Sequence, residues 1–178
     1  MARIVVTEFV ALDGIGEEPG QWSLDYWNDD IAKFKEAELG ASDALLLGRK
    51  TYEGFAAAWP QRAGDPFADK FNSMPKYVAT TTLDRFDWQN SRRLGADVPG
   101  EVARLKRQAG QDIVIHGSMT LVNSLLPHGL IDEFRLLVYP LLLGSGRRVF
   151  QDGNAAKLRL AESRDMGSGV VLLRYQPA

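Results

Sequence analysis

Asp43-Ala-Leu-Leu-Leu-Gly-Arg-Lys-Thr-Tyr-Glu53 decides the fold of this chain. Ala44–Leu47 is a short unbroken apolar run, as expected of a strand covered on both faces. Gly48 permits a turn that a Cβ would obstruct, and a helix beginning near Lys50 follows. Such a helix directs its unpaired N–H groups and its dipole at whatever lies beyond the strand end, where Arg49, Lys50 and the Thr51 hydroxyl add charge and hydrogen bonds. The stretch therefore outlines a phosphate site. An ordinary helix–strand connection with exposed basic residues has the same pattern, and both readings stay open at this point.

The pattern recurs downstream. Asp112–Ile115 is a second buried-strand signal, and His116-Gly117-Ser118 turns it into a helix predicted to run through Leu126, before Pro127. Upstream, Ile4–Leu12 reads as a central strand closing at Asp13-Gly14. Gly16–Gly20 has the composition of a mobile flap. A helix is predicted over Asp25–Leu39 with Gly40 as its C-cap, and Trp27, Ile31, Phe34 and Glu38 on or near one stripe. Between the two glycine turns lie a helix over Tyr52–Trp59, a second from Asp65-Pro66 to about Ser73, a strand over Tyr77–Thr80, a short strand over Asn90–Leu94, and a helix over Pro99–Ala109. After Asp132 come a long strand, Phe134–Leu143, and a hairpin of Lys157–Arg164 with Gly169–Gln176. Pro140 cannot donate to a ladder, which predicts an edge or a bulge there. The expected architecture is one α/β domain spanning 1–178, with a mixed, mainly parallel sheet flanked by helices and finished by an antiparallel pair.

Composition narrows the chemistry. The chain of 178 residues has no cysteine, which excludes disulfides, thiolate nucleophiles and Cys-ligated metals, and only two histidines, His116 and His128, so no metal site is expected. The net charge of −2 offers no field for a nucleic-acid backbone. No apolar run reaches the ~18 residues of a membrane span, and Met1-Ala-Arg leads into a strand pattern with no signal-peptide core. The expectation is a soluble cytoplasmic protein that binds neither nucleic acid nor membrane. The Gly-x-Gly-x-x-Gly fingerprint, a Walker A lysine and a Gly-x-Ser-x-Gly elbow are all missing. Gly144-Ser145-Gly146 follows a late strand with no helix start behind it, and reads as structural.

Four motifs in order carry a family likeness: Val10-Ala-Leu-Asp-Gly14, Leu47-Gly-Arg-Lys-Thr-Tyr-Glu53, Ile115-His-Gly-Ser118, and Gly129-Leu-Ile-Asp-Glu133 leading to Pro140-Leu-Leu-Leu-Gly-Ser-Gly146. Through them nearly the whole chain resembles the dihydrofolate reductase-like superfamily, and within it the reductase domain of the bifunctional riboflavin-biosynthesis deaminase–reductase. The resemblance implies NADPH as cofactor and a small pterin-like or pyrimidine-derived heterocycle as substrate, reduced by hydride transfer. It implies that Gly48, Arg49, Lys50 and Thr51 hold cofactor phosphates and that Thr80, Thr81 and Thr82 lie along the adenosine half. It places His116, Gly117, Ser118, Met119, Thr120 and Leu121 against the pyrophosphate and nicotinamide ribose, with Val10, Ala11 and Ile15 completing the cofactor set. Many relatives have Gly-Gly, often with a cis peptide, where this chain has His116-Gly117; His116 itself reads as a packed strand-end residue. Asp30-Ile31-Ala32-Lys33-Phe34-Lys35 matches the pattern in which dihydrofolate reductases carry a substrate-binding helix carboxylate, which implies Asp30 as the catalytic acid, with Asp25 and Asp29 close by. Phe9, Trp22, Trp27 and Trp59 are candidates to stack on a flat substrate ring, although aromatics at such spacings also serve as core.

The missing cysteines rule out the zinc deaminase half of those relatives. A non-catalytic nucleotide- or flavin-binding module on the same fold, and an enzyme that holds a substrate phosphate at these turns, are the two rival functions. The apolar residues on both faces of Phe134–Leu143 and of the hairpin (Leu136, Leu137, Val138, Leu141, Leu142, Val170, Val171, Leu172, Leu173) predict a homodimer.

Overall fold

A computed structural model describes residues 1–108 and 110–178. Its centre is an eight-stranded sheet of β1 (Ile4–Ala11), β2 (Ser42–Gly48), β3 (Lys76–Ala79), β4 (Ser91–Arg93), β5 (Asp112–His116), β6 (Glu133–Tyr139), β7 (Leu158–Asp165) and β8 (Val171–Pro177), in the order β4-β3-β2-β5-β1-β6-β8-β7. All pairings from β4 through β6 are parallel, and β8 and β7 add antiparallel. Five helices cover it: α1 (Asp29–Gly40), α2 (Arg49–Ala58), α3 (Pro66–Ser73), α4 (Val98–Gln108) and α5 (Met119–Leu125).

Alternation along the strands sorts the helices onto two faces. Ile4 and Val6 of β1 pack with Leu46, Ile113 and Ile115 under Val102 and Leu105 of α4 and Leu121, Val122 and Leu125 of α5. Leu45, Leu47 and Val78 face the other way, toward Tyr52 of α2 and Phe71 of α3. Beside them Leu137, Tyr139 and Leu172 bury Ile31 of α1. Burying each such side chain is worth roughly 1.5–3 kcal/mol.

Several boundaries differ from the sequence expectation. α1 starts four residues late, because Trp27 and Asn28 are extended and Asn28 is the N-cap, its side chain accepting from the Ile31 N–H. Leu24–Tyr26 forms only a 3₁₀ turn, Trp27 falls outside the helix stripe, and Gly40 lies inside the helix with Ala41 as its cap. The long strand predicted to Leu143 stops at Tyr139, so Pro140 ends an interior strand and marks neither an edge nor a bulge. α2 ends at Ala58, and Trp59–Arg62 continue as a 3₁₀ turn. The predicted end of α4 at Ala109 lies outside the described residues. All peptide bonds of the described residues are trans, including His116–Gly117. Among the described residues no helix is long and apolar enough to cross a membrane, and no cluster of three or more His, Asp or Glu could hold a metal ion.

Candidate active site

β1 and β5 pair only as far as Thr7 and His116. β1 runs on to Ala11 beside β6, so a crevice opens past His116, where the chain leaves β5 toward α5 on one face while α1 covers the other. In open α/β sheets such switch points hold ligands. The two glycine turns meet at this crevice and brace each other. The Gly48 N–H donates to Ser118 Oγ at 2.9 Å, the Ser118 N–H donates to Thr51 Oγ1 at 3.1 Å, and Ser118 Oγ donates to the His116 carbonyl at 3.1 Å. Gly117 and Ser118 are both left-handed, with φ of +55° and +53°. The left-handed φ of Gly117 favours glycine there, where a Cβ would come within 3.4 Å of Thr51 Oγ1. α2 begins with no side-chain cap, so its first-turn N–H groups are free for an anion.

These turns wall one continuous cleft of about 2080 Å³, roughly twice the upper end of an ordinary ligand pocket and so roomy enough for two ligands side by side. One part is polar, lined by Gly48–Thr51, Thr80–Thr82, Arg93 and Gly117–Leu121. The other lies under α1 and is lined by Thr7, Phe9, Trp27, Lys35, Phe55, Trp59, Phe67 and Phe71. His116 also lines the cleft, its ring 5.3 Å from that of Phe71 and 6.2 Å from that of Phe55. Burial first, then the nearby Lys35 cation, push the His116 imidazole down to about 3, so it is neutral at physiological pH.

The floor of the aromatic part is charged. Lys35 donates to Thr7 Oγ1 at 3.1 Å, lies 5.6 Å from the Phe9 ring centroid and pairs with Glu38. Glu38 accepts from Arg135 at 3.2 Å, and Arg135 reaches Asp112 at 3.1 Å and Glu133 at 2.7 Å. Arg3 and Arg174 close on Asp112 and Glu133, and Arg174 on Glu162. Among the described residues, five cations (Lys35, Arg3, Arg135, Arg174, Arg164) thus meet four anions (Glu38, Asp112, Glu133, Glu162) in one chain from the cleft floor to the edge strand β7.

Most of the cofactor residues expected from sequence do converge on the cleft: Gly48, Arg49, Lys50, Thr51, Thr80, Thr81, Thr82, His116, Gly117, Ser118, Met119, Thr120 and Leu121. Val10, Ala11 and Ile15 are buried behind its wall, where Ile15 bridges Arg148 and its carbonyl accepts from the Ala11 N–H. Of the aromatic candidates Phe9, Trp27 and Trp59 line the cleft; Trp22 packs edge-on against Tyr139 instead, with its indole N–H on the Glu17 carbonyl. Asp30 is exposed on the first turn of α1, on the side away from its cleft-lining residues Ala32, Lys35 and Glu36. The flap is pinned at its base, where the Gly16 N–H donates to the Arg147 carbonyl at 3.0 Å and Glu17 Oε2 accepts from the Arg147 N–H at 3.0 Å. Asp13 ties down the Gly144-Ser145-Gly146 loop by accepting from the Leu143 and Gly144 N–H groups.

Thr7, Glu8, Lys35, Glu36, Arg93 and Arg147 also line the cleft without having been expected there. One signal was visible: Glu8 is an acid in an otherwise apolar central strand. Among the lysines and glutamates of α1 only Glu38 was expected on or near the buried stripe, and no role was assigned to Lys35 or Glu36.

The profile of the family described as RibD C-terminal domain matches residues 2–172. The uncharacterised protein YyaP of Bacillus subtilis (strain 168) is 31% identical over 180 residues, covering 97% of this chain and 94% of YyaP. RibD of Acinetobacter baumannii superposes with a TM-score of 0.71 at 18% identity, covering 100% of this chain and 58% of that one. Dihydrofolate reductase of Enterococcus faecalis, solved with NADP(H) and RAB-propyl, superposes with a TM-score of 0.63 at 16% identity, covering 98% of this chain and 96% of that one. The fold is thus dihydrofolate reductase-like.

Proposed function

This chain belongs to the RibD C-terminal domain family, and from that premise we infer that it is an NADPH-dependent reductase of a small pterin-like or pyrimidine-derived heterocycle. One observation carries the reading: two glycine turns, braced through Thr51 and Ser118, open side by side on a cleft whose second part is aromatic. The residues present fit a dinucleotide. Gly117 leaves its place free of a Cβ, α2 offers uncapped N–H donors, and Arg49, Lys50 and Arg93 supply positive charge beside the Thr80–Thr82 hydroxyls. A reduced nicotinamide bound there supplies the hydride. Phe9, Trp27 and Trp59 flank the heterocycle.

The test is a panel of pterins and aminopyrimidines mixed with NADPH and the purified protein. Loss of reduced-nicotinamide absorbance with one of them is the expected result. A thermal shift with NADPH or a flavin but no oxidation of NADPH in any mixture would instead identify a binding module. A shift with a sugar phosphate but not with NADPH would defeat the dinucleotide assignment.

A second copy of this chain is the proposed partner. Much of the apolar surplus expected from sequence is used internally, since Leu137, Val170 and Leu172 are buried under α1. Leu158, Leu160 and Val171 remain exposed at the β7–β8 end of the sheet, where β7 is an unpaired edge. Light scattering should give twice the monomer mass, and Leu160→Lys should shift it toward the monomer. A monomeric wild-type protein at micromolar concentration would remove the proposal.

A further inference from the structure

Glu8 is the first residue of β1 beyond its last pair with β5, Thr7 with His116, and it lines the cleft where the crevice opens. It is 3% exposed, and its Oε1 has no hydrogen-bond partner. An ionised carboxylate in that setting loses its hydration without a full set of partners in return, so the neutral acid is the form the site accommodates. Burial drives its pKa well above the ordinary carboxylate range, and the field of Lys35 offsets this only in part. Its neighbours cannot do the same work at neutral pH. His116 is held neutral, the Lys35 ammonium is committed to Glu38 and Thr7, and Asp30 is on the outer side of α1.

Resting on the reductase reading, we propose that Glu8 is the catalytic acid of this cleft and protonates the heterocycle as it is reduced. As hydride arrives at the carbon of a C=N bond, the π pair moves onto nitrogen, and that nitrogen takes the proton from the Glu8 carboxyl O–H. A C=O bond is reduced in the same way, with oxygen accepting the proton. Glu8 is left as a carboxylate, with Lys35 nearby to moderate its charge, and recovers a proton from water entering through the open cleft. This assigns to β1 the role that the sequence pattern suggested for α1.

The test is Glu8→Gln, which keeps shape and polarity but has no proton to give. Wild-type protein at neutral pH, with no ligand added, should have the infrared C=O band of a buried protonated carboxyl that is missing in the variant. With a substrate in hand, single-turnover hydride transfer should fall by about 10²-fold or more while NADPH binds with unchanged affinity, and Glu8→Asp should recover part of the rate. Loss of the wild-type rate as pH rises should also disappear in Glu8→Gln. A wild-type protein without the band, or a variant that turns over within a few-fold of wild type, overturns the proposal. Inertness of the wild-type protein toward every heterocycle defeats the reductase reading itself, and is distinguishable because the band is read without substrate.

Discussion

Glu133→Ala should lower the free energy of unfolding by about 3–5 kcal/mol, the usual cost of removing one partner from a buried charge cluster. The Glu133 side chain is fully buried and accepts from Arg135, Arg174, Arg3 and Gln176. Its loss leaves Arg135 inside the fold with Glu38 and Asp112 alone, and Arg174 with Glu162 alone. The same group sets a pH dependence. Although burial works to raise it, hydrogen bonds from Arg135 and Gln176, the Arg135 charge and Arg174 hold the Glu133 carboxyl at about 2, below the 4.5 of the unfolded chain. Because the folded state binds this proton less tightly, the stabilisation is complete above 4.5 and is lost as pH falls from 4.5 through about 2. Urea unfolding at neutral pH, repeated at intervals down to pH ~3, measures both effects. Equal stability of wild type and variant at neutral pH would mean that the cluster contributes nothing net; a difference that did not shrink in acid would mean that Glu133 is not the titrating member.

Arg49→Ala should weaken NADPH binding roughly ten- to a hundredfold and leave NADH nearly untouched. A charge-assisted hydrogen bond to a 2′-phosphate is worth about 1.5–3 kcal/mol, and NADH has no phosphate at that position to lose it. Arg49 lines the polar part of the cleft with Lys50 and the Thr80–Thr82 hydroxyls. Its ion pair with Glu53 at 3.2 Å is exposed, so losing that pair should not disturb the fold. Titration of both dinucleotides against both proteins, followed by nicotinamide fluorescence, decides it. Equal losses for NADH and NADPH would remove Arg49 from the adenosine end.

The fold was legible wherever backbone punctuation is local. Gly48, Gly117 and Pro66 mark breaks that no tertiary contact needs to decide, and the strands beside them were found within a residue or two. The start of α1 was not legible. Asp25, Asn28, Asp29 and Asp30 can all cap a helix, and the choice of Asn28 is reinforced from far along the chain, where its amide donates to the Met166 carbonyl at 2.9 Å and to Ser168 Oγ at 3.0 Å. That choice also sets the phase of the helix, turning Lys35 toward the cleft and Asp30 away from it. The charged floor was hidden for a related reason. Glu38 fell on or near the apolar stripe of α1, but its partners did not show: Lys35 is one helical turn away, and Arg135 comes from a strand nearly a hundred residues later. The two glycine turns were readable as cleft-forming because they are short and contiguous; the place of Glu8 in the cleft was overlooked because it depends on where β5 stops.

The position of β1 governs how the molecule can be made. Synthesised well before its partners, it ends up between β5 and β6, with Ile4 beside Ile113 and Val5 beside Glu133. At a synthesis rate of about 5–20 residues per second, the hydrophobic run Ile4–Val6 leaves the ribosome on the order of ten seconds before either neighbour exists. Through that interval both of its edges are open and only non-native pairings are available. Closing such distant contacts is intrinsically slow, so the nascent chain spends its most aggregation-prone period with its future central strand uncovered.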